Sequence, residues 1–127
     1  MFTAKFFKEG EFACKCGGKY CNGFPVNNID DRLLAILDEA RADAGAPIII
    51  TSGYRCPTHN ANIGGAKDSY HTRGMAADVC CAGVSPKNLA ALIRAVMVRK
   101  GLQGGLQNYD KEGFVHVDTR GQWARWC

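Results

Sequence analysis

The sequence predicts an α+β domain: a small, mainly antiparallel sheet with two main helices. Three observations predict it. Two segments carry apolar residues at helical spacing, and several short segments rich in β-branched or small apolar residues read as strands. The elements follow in the order helix, strand, loop, strand, helix, hairpin, which suits a small antiparallel sheet with helices packed on it. At 127 residues the chain is expected to form one domain, 1–127.

Residues 1–24 are rich in Gly and Cys with scattered Lys, and read as loops with one short strand, packed on the domain. Asn27 or Asn28 precedes an amphipathic stretch in which Ile29, Leu33, Leu34, Ile36 and Leu37 recur at helical spacing. Asp30 and Asp31 occupy its first turn, where carboxylates suit the helix dipole, and Gly45 is a stop signal. A helix over about 29–44 follows. Pro47 to Tyr54 reads as a strand, because Ile48, Ile49, Ile50 and Thr51 are all β-branched.

Residues 55–75 form a long polar segment, and a connection of that length without structure is often functional. Ala76 to Cys80 is small and apolar around one acid, as in a buried strand. Ser85-Pro86 places a cap and a first-turn proline ahead of Leu89, Leu92, Ile93, Val96 and Met97, and Lys100-Gly101 ends that helix. Segments 104–109 and 114–119 read as a hairpin turning at Asp110–Gly113.

Composition excludes several classes. The hydrophobic fraction of 46% argues against disorder, and the longest apolar runs are too short to cross a bilayer. The segment Met1–Lys8 has no continuous apolar stretch and no cleavage pattern, so an export signal is not expected. A net charge of +4 is modest, and nucleic-acid binding would need it clustered. A basic helix beside Cys14–Cys21 would support such binding, but only Lys15 and Lys19 lie there, with no helical pattern.

The chemistry concentrates in two segments, Ser69–Asp78 and Phe114–Asp118. Strand alternation puts His116 and Asp118 on one face and Val115 and Val117 on the other, towards the core. Asp78 sits in an apolar strand and needs a partner, because a lone buried carboxylate is costly. His71, Asp78 and His116 would together make two imidazoles and a carboxylate, a sound ligand set for a catalytic Zn²⁺ with one position left for water.

Ser52-Gly53-Tyr54-Arg55, Ser69-x-His71-x-x-Gly74-x-Ala76-x-Asp78 and His116-x-Asp118 together resemble the zinc D-Ala-D-Ala carboxypeptidase and endopeptidase family, which shares its fold with the Hedgehog signalling domain. The resemblance runs from about Phe6 to Trp126, and Glu11-Phe12-Ala13-Cys14-Lys15-Cys16 is similar to the opening of small phage and bacterial members. It implies a Hedgehog/DD-peptidase-like fold and a zinc held by His71, Asp78 and His116. It implies that Arg55 faces the substrate, binding a carboxylate or the developing oxyanion, and that Ser69 lies near the site, with a turn-capping hydroxyl as the alternative.

Many relatives place an acid or His three residues before the last ligand, and here that residue is Gly113. The proton-handling group is then sought in Asp118, on the same strand face as His116, or Glu112. Asp118 has the better local geometry, but it can equally orient a His ligand. Tyr109 and His59 are further residues that could line the cleft, with His59 read as structural.

The seven Cys cannot all pair within the chain. Cys14-x-Cys16-x4-Cys21 gathers three thiols, and a second, structural Zn²⁺ would need a fourth from Cys56 or Cys127. The spacing is not the usual Cys-x2-Cys knuckle, which counts against that site, and a disulfide from Cys14 or Cys16 to Cys56 is its rival. Cys80 and Cys81 read as inert small hydrophobes on opposite strand faces.

The expected activity is hydrolysis of an amide in the peptide stem of bacterial peptidoglycan by a monomeric zinc peptidase, either a D,D-carboxypeptidase or an endopeptidase of the endolysin type. The alternative is an inactive wall-binding domain that keeps its zinc. The expected setting is synthesis in the cytoplasm, with action on the wall after phage lysis or as part of a virion.

Overall fold

The computed structural model describes residues 4–24, 29–65 and 69–124. Asn27, Asn28, Trp126 and Cys127, named in the sequence analysis, lie outside them. The chain forms helices α1 (Asp31–Ala44), α2 (Pro57–Asn62) and α3 (Pro86–Arg99), and strands β1 (Ile48–Ser52), β2 (Ala76–Cys81), β3 (Leu106–Tyr109) and β4 (Phe114–Asp118). Short 3-10 turns cover Glu9–Phe12 and Tyr70–Arg73. The strands make one sheet in the order β1-β2-β4-β3, with every neighbouring pair antiparallel. This is the α+β architecture that the sequence predicts.

Local chemistry sets the helix ends. The Asp30 carboxylate accepts from the Arg32 N–H and caps α1, and Gly45 closes it at φ 66°. The Ser85 hydroxyl accepts from the Asn88 N–H ahead of Pro86 and caps α3. Alternation sends Val79, Val115 and Val117 to one sheet face, where they meet Leu33, Leu37, Leu89, Ile93, Val96 and Met97 in a single core. α1 packs on α3, and α3 lies across β2, β4 and β3. Cys81 is buried on the core side while Cys80 is half-buried.

Two expectations change. The polar segment 55–75 is not structureless, because it contains α2 and the Tyr70–Arg73 turn. Pro57 at the helix start and Cys56 Sγ, which accepts from the His59 N–H, form a helix of only six residues, too short to show periodicity. Among the described residues of 1–24 there is a 3-10 turn and no strand. This segment is anchored instead by Phe7 and Phe12, buried edge to face, and by the Phe12 carbonyl, which accepts from the Tyr54 N–H. No helix among the described residues is long and apolar enough to cross a membrane.

Candidate metal centre

Strand register assembles most of the site. Asp78 on β2 stands directly across from His116 on β4, and Ala76 across from Asp118. Cross-strand partners share a face, so the carboxylates and imidazole emerge together on the side away from α1 and α3. On the other flank an irregularity between Ile50 and Ser52 breaks the β1 register and sets Ser52 opposite Asp78. The Thr51 hydroxyl donates to the Asp78 carbonyl there.

His71 arrives from the Tyr70–Arg73 turn just before β2. Ser69 caps that turn, its hydroxyl accepting from the His71 N–H, and Gly74 ends it at φ 71°. The Ser69 hydroxyl thus makes the turn-capping contact that was the alternative to a place beside the substrate. The His71 carbonyl in turn accepts from the Arg55 N–H, locking the turn to the end of β1.

Three ligand atoms, one each from His71, Asp78 and His116, lie within 4.8 Å of one another, and all three residues are buried. The hydrogen-bond chemistry shows what this group suits. His71 Nδ1 lies 2.8 Å from the Gly53 carbonyl, which can only accept, so Nδ1 carries the proton. Nε2 is then the bare nitrogen, yet it faces Asp78 Oδ1 at 3.2 Å. His116 repeats the pattern: Nε2 donates to Asp118 Oδ2 at 2.7 Å, which turns Nδ1 towards the same Asp78 Oδ1 at 3.2 Å. Two bare imidazole nitrogens and one carboxylate oxygen therefore converge. That donor set fits a metal ion.

Ionisation follows the same contacts. From the protein groups alone, burial opposes charge on Asp78, but its contacts with His116 and His71 outweigh this and hold the carboxyl well below the usual range. Burial likewise opposes charge on Asp118, and hydrogen bonds from His116 and Arg120 overcome it. On His116 burial favours the neutral ring, and the two carboxylates reverse this and raise its pKa.

Arg55 reaches the centre. Its Nη2 pairs with Asp78 Oδ2 at 3.1 Å, Nε donates to the Ser52 hydroxyl and Nη1 to the Asn60 side-chain oxygen. It therefore holds the Asp78 oxygen that the imidazoles leave. Asp118 is fully buried: Oδ1 accepts from the backbone N–H of Gly105 and of Arg120, and the Arg120 guanidinium spans both oxygens. Its carboxylate is fully occupied in orienting His116, which is the positioning geometry weighed against a base. Glu112 is exposed in the β3–β4 turn, and neither acid joins the converging ligand atoms. Gly113 has φ 83°, a conformation that suits glycine. Tyr109 stacks on Phe114, and His59 lies on α2 outside the group.

Sequence reasoning missed the supporting residues. Ser52 and Asn60 act through Arg55, three and five residues away, and Gly53 through its backbone carbonyl, roles that residue types do not announce. Arg120 is the exception: an arginine two residues past a buried acid on a strand end could have been paired with it.

A family model described as Peptidase M15 matches residues 5–118. The chain is 36% identical over 78 residues to peptidoglycan L,D-endopeptidase MepK of Escherichia coli K12, covering 58% of this chain and 40% of that protein. It is 38% identical over 103 residues to the probable peptidoglycan L,D-endopeptidase MepK of Haemophilus influenzae, covering 74% of this chain and 52% of that protein. The matched regions span about half or less of those relatives.

Proposed function

This chain belongs to the peptidase M15 family, and on that premise we propose that it hydrolyses an amide bond in the peptide stem of bacterial peptidoglycan. The observation that carries the proposal is the convergence of His71, Asp78 and His116 on one point, with their free lone pairs directed inward. This nitrogen and oxygen donor set suits zinc with one open position. When bound there, zinc supplies Lewis-acid polarisation of the scissile carbonyl and a water acidic enough to attack at neutral pH.

The chain's own groups hold that arrangement. The Gly53 carbonyl fixes the tautomer of His71, Asp118 fixes that of His116, and Arg55 pins Asp78. We assign Asp118 to positioning. Three of the five N–H groups of Arg55 are used in these contacts, which leaves the same guanidinium able to meet an anionic substrate group as well. In hydrolysis the amide C–N bond breaks, a C–O bond to water forms, and the leaving amine takes up a proton. The net charge of +4 suits an anionic wall polymer.

The relatives are named as L,D-endopeptidases, and we extend that bond preference to this chain. Digestion of purified peptidoglycan, followed by mass spectrometry of the fragments, tests it. New termini between an L- and a D-residue are the expected result. Release of free D-Ala alone would identify a carboxypeptidase instead. A second reading, a metal-holding wall-binding domain without hydrolysis, is favoured by the absence of any further acid among the converging ligand atoms of the described residues. Wall binding with no new termini, from protein that retains its metal, would establish it.

A further inference from the structure

A second cluster lies apart from the His/Asp/His centre. The sulfurs of Cys14, Cys16, Cys21 and Cys56 all lie within 4.8 Å of one another. From these we propose that the chain carries a structural zinc held by four thiolates, distinct from the His71, Asp78 and His116 centre.

The distances agree with such a site. A tetrahedral zinc with Zn–S bonds of about 2.3 Å spaces its sulfurs roughly 3.8 Å apart. Cys16 and Cys21 Sγ stand at 3.5 Å, and the whole set closes within 4.8 Å. The disulfide weighed between Cys14 or Cys16 and Cys56 is not formed, and all six described cysteines are free thiols. The fourth ligand, left open between Cys56 and Cys127 by the sequence, is supplied by Cys56.

Backbone N–H groups surround the sulfurs. The Cys56 N–H donates to Cys14 Sγ at 3.3 Å, the Gly23 N–H to Cys21 Sγ at 3.3 Å and the His59 N–H to Cys56 Sγ at 3.4 Å. Such donors stabilise thiolate charge, and four converging thiols otherwise gain little from it. The loop is built to wrap: the Cys14 N–H donates to the Gly23 carbonyl and the Lys19 N–H to the Cys16 carbonyl. Gly17 and Gly18 turn at φ 69° and 85°. Cys14 and Cys56 are buried and Cys16 and Cys21 half-buried, so the site would be enclosed by protein.

Its purpose follows from its place. Residues 13–24 contain no helix or strand, and Cys56 is the one ligand outside them. A metal there would tie the N-terminal loop to the start of α2, beside Arg55 and two residues after Tyr54, whose N–H donates to the Phe12 carbonyl. The Asn62 side chain donates to the Tyr20 hydroxyl and closes the same junction. This junction presents the Gly53 carbonyl to His71 and Arg55 to Asp78, so the cysteine site braces the groups that hold the first centre.

The test uses the whole chain purified under reducing conditions and loaded with cobalt(II). Thiolate ligation gives an intense charge-transfer band in the near ultraviolet that His/Asp ligation does not. The expected result is that band in wild type, its retention in a His71→Ala/His116→Ala variant that loses one metal equivalent, and its loss in Cys16→Ser/Cys21→Ser. Should the cysteine variant fail to fold, the wild type and the histidine variant still decide. Wild type without the band, or disulfide-linked peptides from these four cysteines in place of metal, would overturn the site. Failure of hydrolysis leaves this readout unmoved, so the two proposals fall separately.

Discussion

His116 and Asp118 sit two residues apart on β4, point to the same face, and share a 2.7 Å hydrogen bond from Nε2 to Oδ2. That bond decides which nitrogen of His116 faces Asp78. Asp118→Asn keeps the shape and removes the charge, and metal affinity should fall roughly 10- to 100-fold, the usual cost of losing a group behind a histidine ligand. Titration against a competing chelator measures it, with unfolding followed in parallel. Unchanged affinity would remove Asp118 from the positioning role.

Arg120 matters through Asp118. It spans both oxygens of a carboxylate with no solvent exposure, and its guanidinium lies 4.5 Å from the centroid of the Tyr70 ring. Arg120→Ala leaves that charge short of its main partner, at a cost of about 3 kcal/mol. Urea unfolding should show the loss. A variant as stable as wild type would mean that the backbone donors and His116 suffice.

Two glycines near the site should behave differently. A Cβ on Gly113 would meet open space, so Gly113→Ala costs only the backbone conformation at φ 83°, about 1 kcal/mol. A Cβ on Gly105 would stand 2.3 Å from Asp118 Oδ2 and 2.7 Å from Arg120 Nη2. Gly105→Ala should therefore cost about 2 kcal/mol or more and weaken metal binding as well. Equal thermal shifts in the two variants would contradict this placement of Asp118.

Stability should fall in acid partly through Asp30. Burial opposes its ionisation, but hydrogen bonds from Arg32 and Thr119 win and hold its pKa below the usual carboxylate value. A carboxyl depressed in the folded state contributes stability that is fully present above its unfolded pKa and is lost as pH falls through its folded one. The stability gap between wild type and Asp30→Ala should be constant above about pH 5 and shrink below it, starting from a cap contribution of about 1 kcal/mol. A gap that widens in acid would show the opposite shift.

Much of this was legible in the chain itself. Ser85-Pro86 and Gly101 bracket α3 because caps act through neighbouring residues, and Val115 and Val117 face the core because strands alternate. His71, Asp78 and His116 were legible as a ligand set because residue type and motif spacing survive in one dimension. The helix Pro57–Asn62 was not, since six mostly polar residues started by Cys56 and Pro57 leave no period to read. Strand alternation, a local signal, leaves open whether Asp118 acts as base or as positioning group. Alternation gives a face, but it does not say whether Arg120 and the Gly105 N–H have already taken the oxygens.

By itself, then, the sequence determined the α+β class, the two long helices, the hairpin and the three metal-binding candidates, because each rests on contacts within a few residues or on a motif. Only the tertiary structure decided that Asp78 stands across from His116, that Gly53 and Asp118 set the two tautomers, and that Cys56 completes a set of four thiols with Cys14, Cys16 and Cys21. These depend on strand register and on the packing of a loop against a helix start 42 residues from Cys14. Such contacts are fixed by the burial of the whole core, and no single stretch of chain encodes them.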